Sequence, residues 1–480
     1  MASVRQSKRR KTLPKSPTGI PGMDEVTGGG LPHGRPTLVA GGAGCGKTLF
    51  AMEFLINGAA QFDEPGVFIA FEENAEELAE NVASLGFDLN ELIKQKKLII
   101  DYIRIERTEI EEAGEYDLDG LFIRLGHAIN SIGAKRVALD TIEVLFAALK
   151  NQGTLRAELH RLFRWLKDKD VSAVVTAERG SGKLTRFGLE EYVADCVILL
   201  DHRVTEQVST RRMRIVKYRG SLHGTNEYPF LIGRKGISVL PITSLALEHE
   251  ASRERISTGI PQLDEMLEGK GFYCGSSILV SGTAGSGKSS LAVSFVDAAC
   301  RRGEKSLVFA FEESPSQILR NMSSIGLDLE RHVRKGLLQF HASRPSLYGL
   351  EMHLVTMYDL INEFQPRLVV VDPITDFESV GSAAEIKSAV TRIIDFLKTR
   401  NITTIFIDAS PEGDLYADSV VGVSSLIDAW ISLRSIETDG EHHRGLYILK
   451  SRGMAHSNQI RSFHITGDGI RIGDMGLAGR

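Results

Sequence analysis

Two eight-residue stretches carry residue types and spacing suited to phosphate chemistry. They are Gly41-Gly42-Ala43-Gly44-Cys45-Gly46-Lys47-Thr48 and Gly282-Thr283-Ala284-Gly285-Ser286-Gly287-Lys288-Ser289, and each fits G-x-x-x-x-G-K-[ST]. In that pattern the backbone N–H groups of a Gly-rich turn wrap the phosphates, the lysine reaches the β and γ oxygens, and the Thr48 or Ser289 hydroxyl holds Mg²⁺. Only glycine lets the backbone come that close. The chain is therefore expected to bind a nucleoside triphosphate with Mg²⁺ twice.

Further groups fit phosphoryl chemistry. Asp140 ends the apolar run Arg136-Val137-Ala138-Leu139, and Asp372 ends Leu368-Val369-Val370-Val371. A carboxylate ending a buried strand beside the phosphate strand is placed to hold Mg²⁺ or its water. Glu72-Glu73 follows Val67-Phe68-Ile69-Ala70-Phe71, and Glu312-Glu313 follows Leu307-Val308-Phe309-Ala310-Phe311. A carboxylate at that sheet edge can deprotonate water or a hydroxyl for in-line attack on the γ-phosphate. Adjacent carboxylates also resist joint ionisation, which suits one of them to act as base. The plainer alternative is acid placed favourably near a helix N-terminus. Lys217-Tyr218-Arg219 and Lys450-Ser451-Arg452 lie on late strand-like runs whose alternation projects both cations from one face. Such a pair suits a finger that completes a neighbouring subunit's ATP site, or else merely decorates an edge strand.

The elements needed to position these groups can be read around them. The runs Thr37-Leu38-Val39-Ala40 and Ile278-Leu279-Val280 precede the loops, and helical patterns follow from Leu49 and Ser290. Strand, loop, helix aims a helix N-terminus at the anion. Helix starts with capping signatures follow the acidic pairs, at Asn74-x-x-Glu77 and Ser314-Pro315-Ser316-Gln317.

The chain is a duplication. Thr18-Gly19-Ile20-Pro21 returns 240 residues later as Thr258-Gly259-Ile260-Pro261, and Phe71-Glu72-Glu73 returns at the same offset as Phe311-Glu312-Glu313. So long a period excludes a solenoid and means two copies of one α/β domain, each a mostly parallel sheet covered by helices. The expected layout is a basic arm over 1–15, a first domain over 16–246 and a second over 247–480.

Composition narrows the classes. With 480 residues the chain has room for two to three domains, and a net charge of −5 gives no global attraction to nucleic acid or membrane. The exception is the arm, with Arg5, Lys8, Arg9, Arg10, Lys11 and Lys15, read as a solvated tail. No apolar run suffices to span a bilayer and the start lacks a signal-peptide segment, so a cytoplasmic location is expected. Cys45, Cys196, Cys274 and Cys300 are scattered, which implies neither a disulfide framework nor a zinc site.

With these motifs in order, the chain resembles the KaiC family of RecA-like ATPases over about residues 16 to 475. The Thr-Gly-Ile-Pro openings, both phosphate loops, both Phe-Glu-Glu motifs and both Lys-x-Arg-Gly fingers carry the likeness. It implies two tandem RecA-like P-loop NTPase domains and a homo-oligomer, a double-ring hexamer with ATP between subunits. It also implies a first ring that hydrolyses ATP and a second that phosphorylates adjacent hydroxyls on the neighbouring subunit. After Gly188 the first copy reads Leu189-Glu190-Glu191, and after Gly422 the second reads Val423-Ser424-Ser425. By resemblance Ser424 and Ser425 are the autophosphorylation pair, Glu312 with Glu313 is the base, and Ser419 is a weaker acceptor.

The family's best-known members have Ser-Thr there. The chain also stops at Arg480, seven residues after Gly473, where clock members continue into a long tail. A KaiA-type activator is therefore not expected, while a small KaiB-type partner of the first ring stays open. The rival readings are a remodelling ATPase without kinase activity and a DNA-binding recombinase-like protein. The acidic balance speaks against the latter.

Overall fold

The computed structural model describes residues 13–104, 118–146, 152–180, 184–186, 188, 193–205, 208–233, 235–241, 252–409, 425–438 and 441–474. The chain divides into two compact units, Met1–Thr243 and Ser244–Arg480.

The first unit is built on a nine-stranded sheet. Its strands are β1 (Pro36–Gly41), β2 (Gly66–Ala70), β3 (Leu98–Tyr102), β4 (Arg136–Asp140), β5 (Ser172–Glu178), β6 (Cys196–Thr205), β7 (Val208–Tyr218), β8 (Glu227–Gly233) and β9 (Gly236–Val239). In space they run β9-β8-β7-β6-β1-β5-β4-β2-β3. The pairs from β6 to β3 are parallel and those from β6 to β9 antiparallel.

Continuous apolar runs such as Thr37-Leu38-Val39-Ala40 suit strands buried on both faces. Alternation then divides the core in two. Val39 and Phe68 face helix α1 (Lys47–Gln61), which contributes Phe50 and Phe54. Leu38, Val67 and Ile69 face the other side, where α3 (Asp119–Ile132) and α4 (Gln152–Asp168) contribute Leu125, Leu159 and Phe163. Each such side chain contributes about 1.5–3 kcal/mol on burial. Helix α2 (Ala75–Ala83) opens with the expected capping box, Asn74 accepting from the Glu77 N–H and the Glu77 side chain accepting from the Asn74 N–H.

The second unit repeats this plan. Its strands are β10 (Ser277–Gly282), β11 (Ser306–Ala310), β12 (Leu338–Ala342), β13 (Leu368–Asp372), β14 (Thr403–Asp408), β15 (Ala429–Thr438), β16 (Glu441–Ser451), β17 (Arg461–Thr466) and β18 (Gly469–Asp474). They run β12-β11-β13-β14-β10-β15-β16-β17-β18, the same order. Helix α5 (Lys288–Arg301) follows its phosphate loop, and α6 (Pro315–Ser323) opens with the capping box of Ser314 and Gln317.

One expectation is corrected. Asp140 and Asp372 do not end strands directly beside the phosphate strands, because β5 and β14 intervene, hydrogen-bonded on both sides. The crossover through α4 returns the chain to the slot next to β1, so each aspartate reaches its loop across one strand.

Candidate functional site

Both phosphate loops are shaped by left-handed glycines: Gly44 (φ +69°) and Gly46 (φ +99°) in the first, Gly285 (φ +75°) and Gly287 (φ +99°) in the second. At Gly46 and Gly287 a side chain would also collide, whereas Gly44 and Gly285 have open space. A Cβ on Gly46 would lie 2.9 Å from Ile232 Cδ1, and one on Gly287 would lie 2.8 Å from Ile465 Cδ1. In each unit the lysine curls over its own loop. Lys47 Nζ donates to the carbonyls of Gly41 (3.1 Å) and Gly42 (2.9 Å), and Lys288 Nζ to those of Gly282 and Thr283 (both 2.7 Å). Each ammonium thus stands at the mouth of a turn suited to phosphate oxygens.

The strand-end carboxylates face the loop hydroxyls. Burial raises the pKa of Asp140, against hydrogen bonds from Thr176 and Thr48 and the charge of Lys47. Burial likewise pushes Asp372 up to about 6, opposed by a hydrogen bond from Ser289 and abetted by Glu312. A carboxylate bonded to the loop's own hydroxyl, Thr48 or Ser289, forms an oxygen donor pair of the kind Mg²⁺ uses in nucleotide sites. Burial lowers the pKa of Lys288, while Asp372, Glu312 and Asp408 act to retain its proton.

The acidic pairs separate into two roles. Glu73 accepts from Asn81 Nδ2 at 3.2 Å and Glu313 accepts from Asn321 Nδ2 at 3.2 Å, so the second carboxylate of each pair is tied to the helix after it. The first interacts electrostatically with the loop lysine. Glu72 feels Lys47, and its pKa is raised by burial and then by Asp140 and Glu178. Glu312 acts on both Lys288 and Asp372.

The finger residues sit where β7 and β16 end. Lys217 and Lys450 are on the strands, but the strands stop at Tyr218 and Ser451, so Arg219 and Arg452 lie in the turns beyond. The expected single strand face therefore holds for the lysines only. The Arg219 N–H donates to the Asp195 carbonyl (2.9 Å) and the Arg452 N–H to that of Asp428 (2.8 Å), fixing both turns. The second unit adds a contact, Arg452 Nη2 donating to the Ser425 carbonyl at 2.6 Å. Ser425 is exposed in a turn. Ser424, Ser419, Glu190 and Glu191 lie outside the described residues.

The family model described as "ATPase: KaiC" matches this chain twice, over residues 16–244 and 256–476. The chain belongs to the KaiC family of ATPases. Its circadian clock relative KaiC2 of Synechocystis sp. is 57% identical over 463 residues, 96% of this chain and 82% of that protein. The clock oscillator protein KaiC of Parasynechococcus marenigrum is 38% identical, covering 96% and 90%. That of Synechococcus elongatus is 36% identical over 478 residues. ATP is thus the nucleotide of this KaiC-family chain, one of the nucleoside triphosphates that its loops anticipate.

Three residues near the sites escaped sequence reading. Thr176 donates to Asp140 from the intervening strand. Glu178, beside Glu72, is supported by its N–H donating to the buried Glu143 carboxylate at 2.6 Å. Asp376 neighbours Glu312. Thr176 and Asp376 carry no signal that the repeat comparison detects, since Ile407 and Val144 stand at the matching positions of the other copy.

Proposed function

We propose that this KaiC-family ATPase is an autophosphorylating serine/threonine kinase that divides labour between its units. The first unit hydrolyses ATP, with Glu72 orienting and deprotonating water. The second transfers phosphate to the protein itself. Glu312 takes the proton from the Ser424 or Ser425 hydroxyl, the serine oxygen bonds to the γ-phosphorus, and the bond to the β–γ bridging oxygen breaks, releasing ADP. Thr48 with Asp140 and Ser289 with Asp372 would hold Mg²⁺, which would neutralise phosphate charge. Lys217, Arg219, Lys450 and Arg452 act as fingers on a neighbouring copy's nucleotide in a hexameric assembly. The role is in timing or signalling, as the names of its relatives suggest, with a KaiB-type protein as partner of the first unit.

The observation that carries this reading is the shared split of each acidic pair. One carboxylate is fastened to Asn81 or Asn321, and its neighbour interacts electrostatically with the phosphate-loop lysine. Each unit thereby has one carboxylate available as base, and the second has the serine pair Ser424-Ser425 where the first has Glu190-Glu191. The test is crosswise. Glu312→Gln should abolish phosphoserine and leave most hydrolysis, whereas Glu72→Gln should do the reverse. Equal effects of both variants on both activities would refute the division.

A further inference from the structure

In each unit the turn that carries the finger arginine is backed by a short sheet formed at the start of the domain. In the first unit the two-residue strand Lys15–Ser16 pairs antiparallel with Leu31–Pro32. It lays Lys15 Nζ over the Tyr218 ring, 4.9 Å from the centroid. The same ammonium donates to the carbonyls of Thr27 and Gly28, the latter at 3.0 Å. The Tyr218 hydroxyl in turn donates to the Gly30 carbonyl at 2.9 Å. Tyr218 ends β7 directly before Arg219, and Gly220 follows that arginine. Leu13 Cδ2 lies 3.9 Å from where a Cβ on Gly220 would stand.

The second unit reaches the same end with the ring moved. Arg255–Ile256 pairs antiparallel with Phe272–Tyr273, and Arg255 stands opposite Tyr273. The Arg255 guanidinium lies over the Tyr273 ring at 4.8 Å, a cation–π pair. It is fixed there by donating to the carbonyls of Gly271 (2.9 and 2.6 Å) and Leu267 (2.8 Å). Ser451 takes the place of Tyr218, so the ring now belongs to the short sheet and meets the finger turn from that side. Tyr273 Oη donates to the Gly453 carbonyl at 3.5 Å, and its Cε2 lies 3.9 Å from where a Cβ on Gly453 would stand. Apart from adjoining residues, nothing else among the described residues lies within 4 Å of either glycine's Cβ position. Both glycines are left-handed, φ +80° at Gly220 and +69° at Gly453, so the chain reverses right beside each arginine.

We propose that this short sheet positions the finger, with Lys15 and Tyr218 as positioning residues in the first unit and Arg255 and Tyr273 in the second. Arg219 and Arg452 stand in exposed turns. A cation that must meet charge developing on another copy's nucleotide acts best when it is held in place beforehand. The inference rests on the reading of these arginines as fingers that act on a neighbouring copy.

The test measures ATP hydrolysis by the full chain carrying Lys288→Ala, so that the first unit alone is read. In that parent Lys15→Met should lower kcat about tenfold with KM for ATP within about twofold, and Lys15→Arg, the cation that the second unit uses, should recover most of the rate. Co-assembly with parent chains that also carry Lys47→Ala separates finger placement from general damage, because those chains lack working sites and keep intact fingers. An equal mixture should reach about a quarter of the parent rate, against about one-twentieth if no finger is exchanged. Should Lys15→Met fold poorly, Tyr218→Leu should give the same loss and the same recovery. Parent kcat in both variants would overturn the inference alone, as would a loss that the Lys47→Ala chains leave unrelieved while they relieve Arg219→Ala. Parent hydrolysis by Arg219→Ala, or no relief of that variant, would remove the finger reading and this inference with it.

Discussion

Lys47 and Lys288 occupy matching places, each folded over two carbonyls of its own loop, so the different uses proposed for them must come from their surroundings. Removing either ammonium leaves one nucleotide site without its phosphate anchor. Lys288→Ala should reduce phosphoserine formation by about 10²-fold or more while retaining hydrolysis at the first unit. Phosphate release and phosphoserine, quantified on the same samples, check this. The lysines, glycines and loop hydroxyls were legible in the sequence because phosphate binding constrains consecutive residues. The choice between Glu72 and Glu73, or Glu312 and Glu313, was not. It depends on Asn81 and Asn321, eight residues further on, and on which side of the strand end each carboxylate leaves. Asp376 was illegible for a similar reason, since only folding sets the adjoining Phe377 against Phe311.

At the scale of elements, two uncommon charges are buried against helix α1 in the first unit's core, one on the helix and one on β4. Glu53 is 1% exposed, and its Oε1 accepts the Ile237 N–H at 2.7 Å from β9. Burial pushes its pKa up to about 8. The folded carboxyl keeps its proton up to that pH, whereas the unfolded one loses it near the usual carboxylate range. The contribution of this group is therefore fully present at low pH and is lost as pH rises through the window ending near 8, by roughly 4–5 kcal/mol at most. Glu53→Gln should flatten that slope and raise the first unit's urea midpoint at pH 9 relative to wild type. An unchanged difference between pH 6 and pH 9 would contradict it. Arg136, at the start of β4, is fully buried, donating to Glu64 (2.6 Å) and to the Phe54 carbonyl of α1 (2.8 Å). In the second unit Leu368 takes its place. Glu64→Gln should cost about 2–3 kcal/mol by removing the charge opposite a buried cation, whereas Arg136→Leu should stay within about 1 kcal/mol. Denaturant titration of the two variants decides it. Strand order was only partly readable, because alternation gives a strand its faces and leaves its neighbours open. The insertion of β5 between β1 and β4 follows from the crossover, and periodicity does not encode it.

At the scale of the whole molecule, duplication supplies two frameworks of the same strand order, which differ in the core, as at Arg136 and Leu368, and in residues at the sheet edges. Among the described residues no helix is long and apolar enough to cross a membrane. If Lys450 and Arg452 serve a neighbouring copy, mixing should reveal it. A Lys288→Ala chain keeps its fingers, and an Arg452→Ala chain keeps its nucleotide site. Each alone should be nearly inactive as a kinase, while the mixture should regain a substantial fraction of wild-type activity. No recovery after co-assembly would place the finger in its own subunit. The account as a whole stands on phosphoryl transfer to the chain itself, which site-resolved mass spectrometry reads directly. After incubation of the full chain with Mg-ATP, phosphate should accumulate on Ser424 or Ser425 and be absent from Glu312→Gln. Steady ATP hydrolysis with both serines unmodified would contradict the account.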